Sequence, residues 1–334
     1  MLIVTQTLLY TGLAVMMGVI IVRLSPLTIT VPRSVLPLAV VTVVSCAALP
    51  VLKLILFLNA QYDVATSTKM VLFTFEVGRS WLVVALLGGA LLLSSQRSTA
   101  VQLVLALTMI IAFSWSSHAS SFNQFTGFMS HTVHTMAVSI WVGVLLVASL
   151  FASEQQLGKP FLRWFTPIAL TALLAVSISG ILLVTIITPA YVTAWRIPYG
   201  QALIIKHALI VPLVLYALIN GVLNRNERRS SRAWLRAESM IMLTIFTATA
   251  VLSISSPDSK TEKTAALYHA FHANLAAPIL SWTFEGCIFL VATLAFSALL
   301  LQSFTKNQPA KLSLVLGFAT ACSMYCTAML MISA

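Results

Sequence analysis

Ten long runs of apolar residues, separated by short polar or proline-containing stretches, dominate this chain. Each run approaches the length of about 20 residues that an apolar helix needs to cross a bilayer. Only 8% of the 334 residues are charged, whereas a soluble domain carries about 25%, so the chain cannot cover a water-facing surface. The sequence therefore predicts an all-α, polytopic transmembrane helix bundle of about ten spans, at 2–22, 35–58, 70–94, 99–117, 131–152, 164–187, 200–223, 234–254, 275–303 and 313–333.

The basic residues predict the orientation of these spans. Twelve of the 19 Lys and Arg residues lie in the odd-numbered connections and four in the even-numbered ones. Connections rich in Lys and Arg stay in the cytoplasm, which predicts that both termini lie outside. This distribution also explains the net charge of +11 without nucleic acid. The lipid bilayer is the expected partner, and nucleic acid is not.

The six histidines share one side of the membrane in this orientation. They end the fourth predicted span, open the fifth, lie early in the seventh and precede the ninth. All six are therefore predicted in the outer half of the bilayer or just outside it. They are His118, His131, His134, His207, His269 and His272.

The first three of these histidines form the leading candidate metal site. His131 and His134 are three residues apart, so on a helix they share a face. A short uncharged connection brings His118 near them, and Met129 offers a thioether. Imidazole and thioether are copper ligands. The alternative is that amphipathic histidines simply settle at the membrane interface.

A second pair of histidines repeats the three-residue spacing. His269 and His272 stand in the sequence YHAFHAN, which follows the acidic residues Asp258 and Glu262. We predict that this pair also binds metal at the outer face.

Ionisable residues inside the predicted spans are candidates for a transport path, because each costs roughly 2.5–3.5 kcal/mol at the centre of a membrane helix. Glu76 and Arg79 are spaced to pair on one helix face, where they would serve either packing or transport. Lys206 lies near the outer end of the seventh span. Glu285 is predicted near the middle of the ninth span.

Two cysteines on the tenth predicted span are candidates for carrying a soft metal ion. Cys322 and Cys326 are four residues apart and share a helix face. Thiols favour Cu(I), so this pair could pass the ion across the membrane. Cysteine is also common in apolar interiors, where it has no metal role.

Two sequence elements resemble the copper-resistance D (CopD) family of bacterial membrane proteins. In WSSHASS…MSHTVHTMAVSIWVGV, the family's Gly-His-Ala element is matched by His118 and Ala119, with Ser117 in place of the glycine. The family's His followed by Trp-x-Gly-Gly is matched by His134, Trp141 and Gly143, with Val144 in place of the second glycine.

A later stretch resembles the family's Thr-x-Tyr-Gly-x-x-Leu-x-x-Lys element. The matching residues are Pro198, Tyr199, Gly200, Leu203 and Lys206, and the last helix pair fits through Asn224, Arg225, Glu238, Ser256 and Pro257. The strongest resemblance covers 110–257. It implies a CopD-like transmembrane domain over 1–257, followed at 258–334 by two additional helices with an outer histidine-containing loop.

The resemblance implies copper ion import across the bacterial plasma membrane, with His118 and His134 as leading metal ligands. It implies a transporter rather than an enzyme, with copper of undetermined oxidation state as its cargo and an outer copper-donating protein as a partner. Two alternatives remain. The chain could be a membrane haem b electron-transfer protein, with histidines as axial ligands, or a membrane copper chaperone for oxidase assembly.

Overall fold

The chain folds into α-helices joined by short connections, with one pair of two-residue strands. The computed structural model describes residues 2–94, 98–221, 231–257, 264–272, 278–306 and 308–333. Asn224, Arg225, Asp258 and Glu262 lie outside these ranges. The helices are α1 (Leu2–Leu24), α2 (Val35–Leu58), α3 (Val64–Phe73), α4 (Glu76–Leu93), α5 (Thr99–Trp115), α6 (His118–Phe122), α7 (Thr126–Phe151), α8 (Lys159–Ile187), α9 (Tyr191–Ala194), α10 (Pro198–Gly221), α11 (Ser231–Ile254), α12 (Ala266–Phe271), α13 (Phe284–Thr305) and α14 (Ala310–Leu330); the strands are β1 (Ile279–Leu280) and β2 (Ile332–Ser333).

Nine of the helices in the described ranges are long and apolar enough to cross a membrane. The chain is thus an all-α membrane protein with nine candidate spans among the described residues, where the sequence predicted about ten. The fourth predicted span, 99–117, forms α5, whose 17 residues lie at the lower limit for crossing a bilayer. Ser98 begins α5 by accepting a hydrogen bond from the Val101 amide, and the chain leaves the helix at Ser116.

The chain divides into two compact units. The first comprises Leu8–Gln156 and Arg163–Ile187, and the second comprises Leu2–Thr7, Leu157–Leu162 and Thr188–Ala334. The first unit thus contains α2 to α7 and most of α1 and α8, while the second contains α9 to α14 and both strands.

Two glycines allow a close crossing of two long helices in the first unit. Gly18 on α1 faces Gly143 on α7, and a Cβ added at Gly143 would lie 2.0 Å from the Ala14 carbonyl oxygen. A Cβ at Gly18 would lie 2.1 Å from the Gly143 carbonyl oxygen. The two backbones can therefore touch only because neither residue has a side chain. Close approach at small residues is a main source of helix association in membranes.

Side-chain hydrogen bonds to main-chain carbonyls join α4 to its neighbours in the first unit. The Trp81 indole donates to the Val44 carbonyl of α2 at 3.1 Å, and the Ser80 hydroxyl donates to the Ala112 carbonyl of α5 at 2.6 Å. Such bonds contribute about 0.6 kcal/mol each on average between membrane helices. The interfaces of α4 with α2 and α5 therefore combine polar contacts with apolar packing.

Small polar residues join the last two helices in the second unit. Thr293 of α13 donates to the Ser323 hydroxyl of α14 at 3.0 Å, and the hydroxyls of Ser303 and Ser313 lie 2.9 Å apart. Beyond these helices the antiparallel strands β1 and β2 pair Leu280 with Ile332. The antiparallel pair α13 and α14, called the α13–α14 hairpin below, packs against α10 and α11 through contacts of α14.

The orientation of the helices remains a prediction, and it depends on whether α5 crosses the bilayer. If α5 crosses the bilayer, a cysteine at Ala100 should face the cytoplasm and one at Gln124 should face outside. We expect an impermeant thiol reagent applied to intact cells to label Gln124→Cys but not Ala100→Cys, in a chain whose four cysteines are replaced by serine. Both positions are exposed. Labelling of both positions from one side would mean that α5 does not cross, and would reverse the predicted orientation of every later helix.

Candidate metal centre

The predicted metal site begins where α6 turns into α7. His118 is the first residue of α6; its side chain lies outside the described part of the structure. The Ser117 hydroxyl accepts a hydrogen bond from the Ser120 amide at 3.3 Å and so caps the helix. A Cβ at Gly127 would lie only 1.9 Å from the Ala119 carbonyl oxygen, so α6 lies directly against the first turn of α7. Serine in place of the family's glycine is thus a helix cap.

His131 and His134 lie on the next turns of α7 and contact different neighbours. The His131 ring lies 6.3 Å from the ring of Phe113 on α5, measured between centroids. The His134 Nδ1 lies 3.1 Å from the Ser179 hydroxyl oxygen on α8. Both histidines are half-buried, and Met129, one turn earlier than His134, is 38% exposed. The structure thus keeps the two imidazoles on one helix while directing them to two different helices.

The contact with Ser179 selects the tautomer of His134. The Ser179 hydroxyl lies 2.5 Å from the Ala175 carbonyl oxygen, which can only accept a hydrogen bond. The hydroxyl has one proton, so towards His134 it acts as acceptor and Nδ1 carries the proton. A neutral His134 then has its lone pair on Nε2, which is the arrangement that a metal-binding histidine usually adopts.

The second histidine pair lies around the short helix α12. His272 follows its last turn, and its Nε2 lies 2.6 Å from the Met329 carbonyl oxygen of α14. A carbonyl only accepts, so this Nε2 is protonated and a neutral His272 has its lone pair on Nδ1. The ring also packs on Tyr268 with centroids 5.4 Å apart. His269 is exposed. The structure therefore gives His272 a role in attaching α12 to α14, whether or not it also binds metal.

Glu285 lies at the end of a helix rather than in the middle of a span. Thr283 caps α13 by accepting a hydrogen bond from the Gly286 amide at 3.1 Å, so the helix begins at Phe284 and the exposed Glu285 falls in its first turn. Of the apolar run that predicted a helix from residue 275, the described residues before α13 include the strand β1. A carboxylate in the first turn is stabilised by the helix dipole, which explains how the membrane protein accommodates it.

Glu76 likewise begins a helix. Extended backbone at Phe75 separates α3 from α4, and Glu76 is the first residue of α4. The predicted third span of 70–94 is thus two helices. One turn later the Arg79 guanidinium lies 5.5 Å from the centroid of the Trp115 ring on α5, a cation–π arrangement.

The remaining candidates for the transport path lie within the second unit. Lys206 is half-buried on α10, and its neighbour His207 contacts the Tyr191 hydroxyl at 2.5 Å through Nδ1. Cys322 is exposed and Cys326 half-buried on α14, one turn apart. All four cysteines have free thiols.

A polar cluster near the start of α10 was missed by the sequence reasoning. Gln201 is buried and donates to the Trp195 carbonyl at 2.5 Å and to the Met329 sulfur at 3.4 Å, while the Tyr325 hydroxyl donates to its side-chain oxygen. Beside it, burial raises the pKa of Tyr191 to about 12. Uncharged residues in an apolar stretch carry no strong signal, although a glutamine within a predicted span is itself a polar group in need of partners.

No group of three or more His, Cys, Asp or Glu side chains converges within the described ranges. The predicted ligands His131 and His134 lie in the first unit, and His269, His272, Glu285, Cys322 and Cys326 lie in the second. The metal-site assignments therefore remain predictions.

Comparison with known proteins supports the family resemblance. Residues 159–252, from the start of α8 into α11, match the family model "Copper resistance protein D". The chain is also 30% identical over 165 residues to the copper transport protein CutJ of Bacillus subtilis (strain 168), a match that covers 46% of this chain and 30% of that protein. No solved structure matches the chain. Residues 159–252 are thus similar to the copper resistance D family, and the resemblance predicted from the sequence is confirmed there.

Proposed function

We propose that this chain imports copper ions across the bacterial plasma membrane after capturing them at histidines on its outer face. The observation that carries the proposal is the family match over 159–252, because it adds a relationship to copper-resistance proteins to the finding of nine helices suited to span a membrane. The similarity to a protein named as a copper transporter supports the same function, although the chain spans only about 30% of that relative's length.

The capture site is assigned to His118, His131 and His134, with Met129 as a further ligand. Two features support the assignment. The close contact of Ala119 with Gly127 keeps the start of α6 beside the first turn of α7. The contact with Ser179 supports a His134 tautomer with the lone pair on Nε2. Ser179 lies within the family match, so the matched region supplies the group that orients a ligand outside it.

The path inward is assigned to sulfur ligands, because the lipid offers none. Cys322 and Cys326 would hold Cu(I) on α14. Glu285, at the end of α13, is better suited to receive a cation near the membrane surface, together with His269 and His272, than to carry it at depth. Glu76 and Lys206 are further polar groups for this path.

Copper uptake into vesicles tests the proposal. We expect proteoliposomes that contain the chain to accumulate copper faster than empty liposomes, and Cys322→Ser with Cys326→Ser to slow uptake, because a serine hydroxyl does not favour Cu(I) as a thiol does. Cys46→Ser on α2 is the matched control and should transport normally. Copper that binds but never reaches the lumen would instead indicate a chaperone, and a haem absorption spectrum of the purified chain would indicate an electron-transfer protein.

A further inference from the structure

A carboxylate is buried between helices of the second unit and plays no part in the copper path. Glu238 of α11 is 2% exposed, and its Oε2 accepts a hydrogen bond of 2.7 Å from the Asn220 amide nitrogen of α10. Glu238 lies within a helix long and apolar enough to span the membrane. A buried ionisable group at such a place is costly and is a candidate for function.

Aromatic side chains one turn from Glu238 and Asn220 link four helices. Tyr216 and Trp234 lie one turn from Asn220 and Glu238 on the same two helices, and their ring centroids are 5.9 Å apart. The Trp234 ring meets Phe304 of α13 edge-on at 5.3 Å. On α14, a Cβ at Gly317 would lie 3.3 Å from the Tyr216 ring. The helices α13 and α14, which follow the family match, therefore pack against the aromatic residues one turn from Glu238 and Asn220.

Two other polar atoms of this cluster lack hydrogen-bond partners. Within the described ranges, neither the hydroxyl of Tyr216 nor the side-chain oxygen of Asn220 has one, although both are buried. Buried polar atoms are nearly always paired, and each unpaired one costs about 1–3 kcal/mol. The arrangement is therefore suited to a further polar ligand or to a different protonation state.

No basic side chain in the described part of the chain balances Glu238 by an ion pair. The titratable groups on these four linked helices nearest to it are Tyr216 on α10, Arg232 and Arg236 on α11, Lys306 at the end of α13, and Lys311 and Cys322 on α14. Arg236, Lys306, Lys311 and Cys322 are exposed, and Arg232 is half-buried. Lys206 and His207 lie about 20–21 Å along α10 from Asn220, the partner of Glu238, at 1.5 Å per residue.

We propose that Glu238 is a proton-binding site of the membrane domain. The carboxylate takes up one proton to become the neutral acid and returns that proton to solvent when it ionises. All atoms offered by Glu238, Asn220 and Tyr216 are hard oxygen or nitrogen donors, which do not favour Cu(I). A proton also neutralises the buried charge without requiring the several ligands that a metal cation needs.

The amide of Asn220 can serve both protonation states. In the described arrangement its nitrogen donates to the charged carboxylate. After a half-turn of the amide, its oxygen can accept a hydrogen bond from the protonated carboxyl. The same side chain thus accommodates loss and gain of the proton, and Tyr216 closes the cluster on the side of α14.

Infrared spectroscopy of the purified chain without copper tests this site directly. As the pH is cycled, we expect the carbonyl stretch of a buried protonated carboxyl group, shifted in heavy water, to appear and disappear. Glu238→Gln should remove this band, whereas the matched exposed control Glu285→Gln should retain it. Asn220→Leu should retain the band at a shifted frequency, which a loss of folding would not produce.

Two outcomes would overturn the assignment. A titrating band that survives in folded Glu238→Gln would place the proton on another residue. A band that responds to sodium concentration at constant pH, and not to pH itself, would identify the ligand as a monovalent metal cation.

Coupling of this proton to copper movement rests on the proposed function. If the two are coupled, copper uptake by proteoliposomes should depend on the pH gradient, and Glu238→Gln should abolish that dependence. A titrating Glu238 in a chain that moves no copper would leave the proton site standing and refute the transport function. Uptake with the same gradient dependence in Glu238→Gln would refute the coupling alone.

Discussion

Replacing Gly143 by valine is expected to prevent the native packing of α1 against α7. A single Cβ at this position would lie 2.0 Å from the Ala14 carbonyl oxygen, and the obstacle is main chain that cannot rotate away. Overpacking typically costs about 1–3 kcal/mol and occasionally more, and a main-chain obstacle places this variant at the upper end. We expect Gly143→Val to lose its folded, monodisperse peak in size-exclusion chromatography after mild heating, under conditions in which the parent chain retains it.

Gly89→Ala is the matched control for that variant. Gly89 also lies in a long apolar helix, but a Cβ added there would meet no heavy atom within 4 Å apart from its own stretch of α4. Because alanine is the better helix former, this substitution should leave the chain unchanged or stabilise it by about 0.5–1 kcal/mol. Equal thermal stability of Gly143→Val and the parent chain would show that α1 and α7 do not cross at this point.

The second large effect is expected from His118→Ala combined with His134→Ala. If these histidines are the capture ligands, the double variant should lose high-affinity copper binding in detergent while it still inserts into the membrane. Equilibrium dialysis against a copper-selective indicator measures this loss. Unchanged copper stoichiometry and affinity in the double variant would remove both residues from the site.

Two further variants separate ligation from the general effect of losing a histidine. Ser179→Ala keeps His134 but removes the group that orients it, and should weaken copper binding by about 10–100-fold. His207→Ala removes a histidine that contacts Tyr191 and has no assigned copper role, so it should bind copper normally. Equal losses in all these variants would point to a structural cause.

The helices were largely predictable because apolar length is a direct physical requirement for crossing a bilayer. The run at 131–152 predicted α7, although the helix begins earlier, at Thr126. The two errors in helix position arose where an apolar run does not mean a continuous helix. The backbone becomes extended at Phe75, and near residue 279 the chain pairs as β1 with β2, which is more than 50 residues away in sequence. A local apolar run contains no information about that partner.

The candidate site was predictable in its residue types but not in its contacts. Spacing alone placed His131 and His134 on one helix face, whereas only the fold reveals that one contacts Phe113 and the other Ser179. The family resemblance indicated which glycines belong to its motifs, but it gave no physical reason why these positions need glycine. The structure supplies one for Gly200, where a Cβ would lie 1.9 Å from the Ala194 carbonyl oxygen.

The packing of α13 on Trp234 and of α14 on Tyr216 bears on how such chains can be divided. A truncated protein that ended after α11 would lose the partners of these two aromatic rings. Expression of the family-matched region by itself should therefore give poor yields, and adding the α13–α14 hairpin as a separate polypeptide should rescue it. A homologue without this hairpin would need a second subunit, or another segment of its own, to cover the same surface.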